Sequence, residues 1–463
     1  MQSLMTVYFI FAQWSAPVNL GIPGVEDRNP QTCREQLWES PTCLVWQAYI
    51  GGNWEIFSRV ISGYWSDTLR IPAGSGANIN PTVAYDTLRN LFWCAWQRYT
   101  DNNWEIFVSS KTISGPWTTP IRLTNDTNTD VSPSIWVIGT NVWVVWRKAN
   151  NIYSCYYNGT TWSAPMPVTN DATTIMNDNP KISSRHNHPF VVWVRDRDIY
   201  YSEYINNTWT TPQAIAPHTA NDTLPDIAVT PQWLYPDSKV WVFWQSNRDG
   251  NYEIYRTGCD SMNVFYRITN NNANDITPNP LDFTVFVRFS TPRLCGFSTD
   301  RNGNYDIYSL FFDYWGGCDT IPVDINPAQD VLPVTTMVNG YPCYLWIFWQ
   351  TDRISDLDIY GSYITIFSDI HESGAKPQNS ILKCIPNPAT DKCYIRYSLN
   401  KTGRVKLTMY DIKGRLVQEM HNEIKSPGTY YEKVDITSLN NGVYFIKLRT
   451  EESFTIEKVV VLK

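Results

Sequence analysis

Oxygen-bearing side chains alternate around a glycine in the second half of the chain. They follow a D-x-N-x-N-x-D pattern at Asp300, Asn302, Asn304 and Asp306, and a related set recurs at Asn247, Asp249, Asn251 and Glu253. Carboxylate and amide oxygens at alternate positions of a loop are the ligands that Ca²⁺ takes in proteins. Residues 300–306 are therefore a candidate site for structural calcium, and the sequence predicts no other cofactor.

The competing interpretation of this loop is a hairpin whose last acid belongs to the scaffold. An acid or amide comes at the equivalent place of every repeat, directly before a β-type run: Glu55, Glu105, Asn151, Asp198, Glu253, Asp306 and Asp358. A position filled in this way throughout a repeat is typical of a residue that bonds the backbone at a strand start. Asn-Gly and Asp-Gly are also common hairpin residues, so the scaffold interpretation is favoured over calcium.

Arginines lie in the loop after the second β-type run in six of the seven repeats, where they form a candidate ligand-binding rim. The residues of this rim are Arg98, Arg147, Arg195, Asp196, Arg197, Arg248, Arg301 and Arg353. Arg and Asp beside Trp suit a polar ligand such as a glycan or a peptide. The alternative is that Arg–Asp pairs brace the scaffold, where an exposed pair contributes little.

A histidine pair follows in the fourth repeat, at Arg185-His186-Asn187-His188. Two His at i and i+2 could bind a metal ion. We expect instead a solvated turn on the side opposite the arginines, with no acid beside it. No G-x-S-x-G, P-loop or H-E-x-x-H motif occurs, and the sequence gives no nucleophile–base pair.

Three landmarks return seven times in the same order, and they define the elements that must position these side chains. The first is an Asp or Asn three residues before a proline: Asp27, Asn78, Asp130, Asn177, Asp222, Asp275 and Asp330. The second is an aromatic that ends an apolar run: Trp46, Trp96, Trp146, Trp193, Trp244, Phe297 and Trp349. The third is an Ile before an aromatic: Ile56, Ile106, Ile152, Ile199, Ile254, Ile307 and Ile359.

The spacing of these landmarks predicts the fold. A repeat of 45 to 55 residues made of short β-type runs is typical of a β-propeller, in which four antiparallel strands form each blade. Residues 14–20 resemble an extra fourth strand placed before the first repeat, and no fourth strand follows the seventh. The sequence thus predicts an all-β chain with a seven-bladed β-propeller closed by the N-terminal strand.

Several repeats resemble known propeller families. TDRNGNYDIY (residues 299–308) and SNRDGNYEIY (246–255) resemble TolB-like repeats, and NGTTWSAP (158–165) resembles the end of a sialidase-type repeat. The resemblance covers roughly residues 14–366 and implies the fold, while propellers host many functions. Leu69-Arg70-Ile71-Pro72 is similar to the arginine motif of sialidases. Arg70 nevertheless shares its place with Arg122 and Arg267, so a scaffold role is expected.

Residues 381–463 predict a separate, small immunoglobulin-like β-sandwich of short alternating strands. Four motifs stand in it: Pro386-Asn387-Pro388-Ala389, Tyr410-Asp411-Ile412-Lys413-Gly414, Leu439-Asn440-Asn441-Gly442-Val443-Tyr444-Phe445 and Lys458-Val459-Val460-Val461-Leu462-Lys463. This string resembles the C-terminal sorting domain of the type 9 secretion system. The resemblance implies recognition by the type 9 translocon and sorting machinery. An adhesive or structural sandwich is the alternative.

Charge and composition agree with two domains. The net charge is −7, but residues 377–463 hold 14 basic and 9 acidic side chains, and all 21 Trp precede them. We predict a propeller over residues 13–366, a linker over 367–380 and the sorting domain over 381–463. The acidic larger domain argues against a nucleic-acid partner, and no apolar run is long enough for a transmembrane segment.

The first twelve residues predict the end of a secretory signal peptide. The apolar run of residues 5–12 ends in Ala12 before Gln13, although a basic region before it is missing, as in a truncated signal. The alternative is an N-terminal strand. Together with the sorting domain, the signal predicts a protein that is secreted or displayed on the outer cell surface after passing the periplasm.

The predicted function is recognition of an extracellular carbohydrate or protein ligand without catalysis. One alternative is a glycan-active hydrolase or lyase, sialidase-like, with its site at the mouth of the propeller channel. A structural surface protein is the other. Enzyme activity stays open from sequence, because no catalytic residue can be named.

Overall fold

The computed structural model describes residues 14–34, 41–62, 64–229, 239–281, 293–312, 318–338, 343–353, 356–366, 382–385, 389, 392–399, 401–411, 415–437, 439–450 and 454–461. These residues fall into two compact units, one within Trp14–Phe367 and one within Ser368–Lys463. The predicted signal peptide (1–12) and linker (367–380) lie outside the described residues. So do Pro386, Asn387, Pro388, Ile412, Lys413, Gly414, Leu462 and Lys463 of the sorting motifs.

The larger unit is all β, and its described residues form antiparallel sheets of four or five strands. Sheet 1 holds β2 (Glu26–Thr32), β3 (Thr42–Ile50), β4 (Asn53–Ser62), β5 (Tyr64–Trp65) and β6 (Leu69–Arg70). Sheet 2 holds β7 (Asn78–Asp86), β8 (Leu91–Thr100), β9 (Asn103–Thr112) and β10 (Ile121–Arg122). Sheet 3 holds β11 (Asp130–Ile138), β12 (Asn141–Lys148), β13 (Asn151–Tyr157) and β14 (Met166–Pro167).

The later repeats form the remaining sheets of this unit. Sheet 4 holds β15 (Asn177–Arg185), β16 (His188–Arg195), β17 (Asp198–Ile205), β18 (Thr208–Trp209) and β19 (Gln213–Ile215). Sheet 5 holds β20 (Asp222–Val229), β21 (Val240–Ser246), β22 (Glu253–Gly258) and β23 (Ser261–Arg267). Sheet 6 holds β24 (Asp275–Leu281), β25 (Arg293–Thr299), β26 (Asp306–Phe312) and β27 (Cys318–Asp324). Sheet 7 holds β28 (Asp330–Val338), β29 (Cys343–Thr351), β30 (Asp358–Ile366) and β1 (Val18–Asn19).

Sheet 7 takes its fourth strand from the start of the described chain. Val18 lies opposite Gly361 and Asn19 opposite Tyr360 in an antiparallel pair. The buried indole of Trp14 donates from Nε1 to Ser309 Oγ on the third strand of sheet 6, at 3.1 Å. Trp117 of sheet 2 and Trp209 of sheet 4 make the same bond to a serine of the preceding sheet. The segment before β1 therefore packs as the fourth-strand segments of other repeats do.

Hydrophobic side chains join consecutive sheets. The first strand of each of sheets 2 to 7 packs on the preceding sheet, and β2 packs on β28, β29 and β30 of sheet 7. A buried cluster lies at each of these contacts. Val45 of sheet 1 and Trp96 of sheet 2 share one such cluster, while Phe348 of sheet 7 and Trp46 of sheet 1 share another. Thin sheets with two apolar faces need neighbours on both sides, as in a propeller.

The smaller unit contains two sheets around one core. One sheet holds β31 (Lys383–Ile385), β32 (Lys392–Leu399) and β35 (Gly428–Asp435). The other holds β33 (Gly403–Asp411), β34 (Leu416–Lys425), β36 (Gly442–Arg449) and β37 (Phe454–Val461). Tyr397, Met409 and Ile446 are fully buried in the shared core. Ala389 forms a parallel bridge with Val461, which brings the first and last sorting motifs together.

No helix in the described part of the chain has the length and apolar character needed to cross a membrane.

Candidate ligand-binding rim

The first two landmarks of the repeat bond to each other inside the sheets. In sheets 1 to 4 the indole Nε1 of the landmark Trp donates to the landmark Asp or Asn. The four pairs are Trp46–Asp27 at 2.9 Å, Trp96–Asn78 at 3.0 Å, Trp146–Asp130 at 2.7 Å and Trp193–Asn177 at 2.7 Å. The acids and amides of these pairs are all fully buried. They therefore hold the start of the first strand on the end of the second, and they are scaffold.

Burial changes the acidity of these landmark carboxylates. It raises the pKa of Asp27 to about 7 and that of Asp130 to about 7, although each accepts an indole hydrogen bond that favours the charged form. It also raises the pKa of Asp330 to about 6. Asn78 and Asn177 fill the same place without a charge. The scaffold therefore accepts either a carboxyl group or an amide at this position.

A strained residue precedes the landmark proline in every repeat. The residue has a positive φ, between 50° and 56°, in all of them: Asn29, Asn80, Ser132, Asn179, Leu224, Thr277 and Leu332. Residues other than glycine rarely adopt this left-handed conformation, and several of these side chains are neither Asn nor Asp. The conformation turns the backbone N–H of this residue toward the preceding sheet.

A glutamine of the preceding sheet receives that N–H at four of these positions. The Oε1 of Gln47 accepts from Asn80 N at 2.8 Å, and Gln97 and Gln245 accept from Ser132 and Thr277 at the same distance. Gln350 of sheet 7 accepts from Asn29 N of sheet 1 at 3.2 Å. Each glutamine directly follows a landmark Trp, so the recurring Trp-Gln pair was a sequence signal for this contact.

The predicted calcium loop has partners within the protein for each of its four side chains. Asn304 Nδ2 donates to the carbonyls of Asn326 and Ala328, and Asp306 Oδ1 accepts from Asn326 N at 3.1 Å. Asn302 Nδ2 donates to Asp306 Oδ2 at 2.8 Å, which brings these three residues together. Asp300 instead accepts from Asn274 N at 2.7 Å. Calcium at this loop stays a prediction.

The hydrogen bond from the Asn304 amide to carbonyls of the following loop has equivalents in other sheets. Asn53, Asn103 and Asn251 stand where Asn304 does, and the Nδ2 of each donates to carbonyls of the next connecting loop. The Asn-x-acid pattern thus fastens each of these sheets to the loop that leads to the following one. Among the described residues, no group of three or more His, Cys, Asp or Glu side chains is placed to hold a metal ion.

Four arginines of the candidate rim stack on the aromatic ring of the third landmark and pair with an acid. Arg248 lies 4.9 Å from the ring centroid of Tyr255 and bonds Asp222 at 2.6 Å. Arg301 and Arg353 do the same with Tyr308 and Asp275, and with Tyr360 and Asp330. Arg195 stacks on Tyr200 and pairs with Asp171 of the preceding loop. These guanidinium groups are engaged within the scaffold.

The other rim residues are bound less tightly. Arg98 stacks on Phe107 at 5.0 Å and donates to Ser75 O, while Arg147 lies 3.6 Å from Asp178. Asp196 is exposed and accepts from Met176 N at 3.2 Å. Arg197 is exposed as well. The role of the eight rim residues in ligand binding stays a prediction.

Arg70 has the scaffold contact expected of it. Its Nη2 pairs with Glu55 at 2.7 Å, as Arg122 does with Glu105 at 3.1 Å. The expectation for the His186 loop is wrong in one respect, because an acid does adjoin it. His186 Nε2 lies 2.5 Å from Asp260 Oδ2 of sheet 5, and Arg185 bonds the same carboxylate. Sequence spacing gave no sign of a partner 74 residues away.

Two exposed aromatic pairs depart from the repeat. Tyr49 and Trp54 face each other across the hairpin of sheet 1, with ring centroids 5.2 Å apart. Tyr99 and Trp104 repeat this arrangement in sheet 2 at 5.4 Å. Tyr49 is 45% exposed and Tyr99 is 42% exposed. In sheets 3 to 7 the position of these tyrosines carries Ala149, Asp196, Asn247, Asp300 and Asp352.

The hairpin geometry presents these pairs to solvent. Gly51 and Gly52 have positive φ angles in sheet 1, and Asp101 and Asn102 do in sheet 2, as tight two-residue hairpins require. The Arg28 guanidinium lies 5.3 Å from the ring centroid of Trp54 and adds a cation beside the first pair. Sequence reasoning missed both pairs. The signal was Asn-Trp-Glu-Ile-Phe, which begins at Asn53 and at Asn103.

A family model identifies the smaller unit. Residues 383–462 match the family described as "Secretion system C-terminal sorting domain". The chain therefore carries the type 9 sorting domain that its motifs predicted, and it is exported to the cell surface or secreted. This domain implies an interaction with the type 9 secretion machinery. No curated protein matches the sequence.

Distant structural similarities cover most of the chain. A protein of unknown function from Dyadobacter fermentans has 8% identity, with 76% of this chain and 99% of that chain covered at a TM-score of 0.44. PorZ, an essential surface component of the type-IX secretion system of Porphyromonas gingivalis, has 12% identity, covering 97% and 61% at 0.42. An α-L-arabinofuranosidase from Podospora anserina has 10% identity, covering 78% and 98% at 0.35. These similarities are too distant to assign an activity, a ligand or a partner.

Proposed function

We propose that this exported protein is a seven-bladed β-propeller that binds carbohydrate outside the cell without chemical turnover. The paired aromatics of sheets 1 and 2 are the proposed binding surface. The observation that carries the proposal is the exposure of Tyr49 and Tyr99 at equivalent places of two adjacent sheets. The other sheets form without an aromatic there, so the fold does not require one.

The proposed ring of seven blades is supported by contacts between the first and last sheets. The pairing of β1 with β30 supplies a fourth strand to sheet 7, and β2 packs on that sheet. Gln350 accepts the amide of Asn29 just as Gln47 accepts that of Asn80 one sheet later. The contact between sheets 7 and 1 thus repeats the chemistry of the other contacts, as closure by the N-terminal strand requires.

The aromatic pairs suit a sugar ring in particular. Tyr and Trp offer large apolar faces together with polar tips. A pyranose has C–H groups on one face and hydroxyl groups at its edge, so it can stack on the rings while its hydroxyls bond polar neighbours. Arg28 stands beside the first pair and offers its guanidinium group to such hydroxyls. Two such pairs on neighbouring sheets favour a chain of sugars over a single residue.

Six carboxylates near the rim are engaged as scaffold, which favours binding without turnover. Glycoside hydrolysis needs two carboxyl groups roughly 5–10 Å apart that face the substrate. Glu55, Glu105 and Glu253 are each buried and each pair with an arginine of a fourth-strand segment. Asp222, Asp275 and Asp330 are buried and paired with rim arginines. These acids are engaged as scaffold and are poorly placed as general acid or base.

Affinity electrophoresis of the full chain in native gels that contain soluble polysaccharides tests this proposal. Xylan, glucomannan, pectin and starch serve as probes. We expect retardation by at least one of them, with affinity lowered about 2–10-fold by Tyr49→Ala and by Tyr99→Ala, since an aromatic contact is worth roughly 0.5–1.5 kcal/mol. Tyr266→Ala is the matched control, because Tyr266 is 47% exposed on β23, away from both pairs.

Two results would contradict the proposal. One is wild-type retardation of the Tyr49→Ala/Tyr99→Ala double variant. The other is release of reducing sugar from a retarding polysaccharide, which would make the protein an enzyme.

A further inference from the structure

A small polar cavity lies among the first strands of sheets 1 to 5. Its volume is about 30 Å³, enough for roughly two water molecules or one halide ion. The polar residues that line it are Gln31, Thr32, Arg34, Thr82, Ser134, Lys181 and Asp226. In each of these five sheets one of them directly follows the landmark proline. The residue type at this position can therefore differ between sheets while its side chain still lines the cavity.

The carboxylate of Asp226 has its hydrogen-bond capacity filled. Arg34 Nη2 lies 3.0 Å from Oδ1 and 2.9 Å from Oδ2, although Arg34 belongs to sheet 1 and Asp226 to sheet 5. The backbone N–H of Ile227 donates to Oδ1 at 2.8 Å, and Asn279 Nδ2 donates to Oδ2 at 2.9 Å. Four hydrogen bonds from three donor atoms, Arg34 Nη2, Ile227 N and Asn279 Nδ2, thus occupy the two oxygens.

Lys181 brings a second positive charge into the same cavity. No described residue accepts a hydrogen bond from its Nζ or lies within ion-pair distance of it. Burial lowers the pKa of Lys181, while Asp226 raises it and Arg34 lowers it further. The cavity wall thus contains two cationic side chains and one carboxylate that is already paired. Lys181 is partly exposed, but a cavity of this size gives its charge few water molecules, so a counter-ion there is favourable.

We propose that this cavity binds one monovalent anion of halide size, with chloride as the ligand. The Lys181 ammonium supplies the charge for it. Ser134 Oγ accepts from Ile182 N at 3.2 Å, so its hydroxyl proton remains available to donate to the anion. One negative charge balances Lys181, and a volume of about 30 Å³ suits a halide better than sulfate, phosphate or a carboxylate ligand. The site is independent of the aromatic pairs and of carbohydrate binding.

Thermal unfolding of the full chain in two salts tests the site. The midpoint is measured in sodium chloride and in sodium gluconate at equal ionic strength, because gluconate is too large for the cavity. We expect the midpoint to rise saturably with chloride by about 2–4 °C, since a ligand that binds only the folded state stabilises it. Lys181→Met should have the same midpoint in both salts.

Lys148→Met is the matched control, because Lys148 is paired with Asp126 and lies outside the cavity wall. It should keep the chloride response of the wild type. Anomalous scattering from crystals soaked in sodium bromide should place a peak beside Lys181, a readout that does not depend on any variant folding. Equal wild-type midpoints in the two salts, a chloride response retained in Lys181→Met, or no bromide peak in the cavity would each overturn the proposal.

Discussion

Replacing Asp130 by Asn is expected to stabilise the protein above pH 7. Asp130 Oδ1 accepts the indole N–H of Trp146, whereas Oδ2 is buried without a hydrogen-bond partner. An amide keeps the first contact and places a donor where the unpaired oxygen lies. Asn78 shows the arrangement in sheet 2, where its Nδ2 donates to Gly76 O at 2.8 Å. The equivalent acceptor for residue 130 is the carbonyl of Asn128.

The size of the effect follows from the acidity of Asp130. Burial raises the pKa of this carboxyl from 3.8 to about 7. The folded state therefore keeps a proton that the unfolded chain releases, and stability falls as pH rises from about 4 to 7. At roughly 1.4 kcal/mol for each pH unit, the raised pKa of Asp130 lowers the free energy of unfolding at pH 8 by about 4 kcal/mol relative to its value at low pH. The Asp130→Asn variant has no carboxyl group to titrate at this position. The difference between its free energy of unfolding and that of the wild type should therefore grow from near zero at pH 4 to about 2–4 kcal/mol at pH 8.

Urea unfolding followed by tryptophan fluorescence at pH 4, 6 and 8 measures this difference. The other buried acids titrate in both proteins, so their contributions cancel. Asn78→Asp is the matched control in the opposite direction, because it places a carboxylate at the same site of sheet 2. It should destabilise the protein at pH 8 and approach the wild type at pH 4. An Asp130→Asn variant that is no more stable than the wild type at pH 8 would refute this account of the landmark acids.

Three further outcomes are expected. Gln97→Ala leaves the Ser132 amide without its acceptor, so the free energy of unfolding should fall by about 1–2 kcal/mol. Hydrogen exchange at the Ser132 amide should accelerate, and unchanged exchange would contradict the role of the Trp-Gln pair. If calcium occupies residues 300–306, EDTA should lower the unfolding midpoint of the wild type and have no effect on Asp306→Ala, whereas an EDTA-insensitive wild type would exclude the site. Deletion of residues 381–463 should retain the protein in the periplasm, as fractionation with immunoblotting would show; normal surface display of that truncation would disprove its sorting role.

Much of the fold could be predicted because the landmarks recur at a nearly constant spacing. The buried Asp27 and Trp46 pair stands for a contact that each of the first four sheets repeats, so the period alone revealed that both residues are scaffold. The prediction that Trp14 begins a fourth strand rested on a missing strand at the other end of the repeat series. In the structure Trp14 bonds Ser309 as Trp117 bonds Ser58.

The contacts between sheets were harder to predict. Gln47 reaches Asn80 only because the residue before each landmark proline has a positive φ, and local preferences argue against that conformation for Leu224 or Thr277. From the sequence alone the rim arginines suggest ligand contacts. In sheets 5 to 7, however, each of them pairs with the landmark acid of its own sheet. The aromatic pairs were missed for a different reason. They occur only in the first two repeats, so they are not among the features that all seven repeats share.

The pairing of β1 with β30 has a consequence for biosynthesis. The two strands are separated by more than 330 residues of chain, so the ribosome must deliver almost the whole larger unit before the sheet that contains them can be completed. Until then β1 has no partner strand, and its free amide and carbonyl groups can pair with another chain. A translation product that ends before residue 358 lacks β30, so its β1 has no strand to pair with. We therefore expect such truncated chains to aggregate more readily than the full chain.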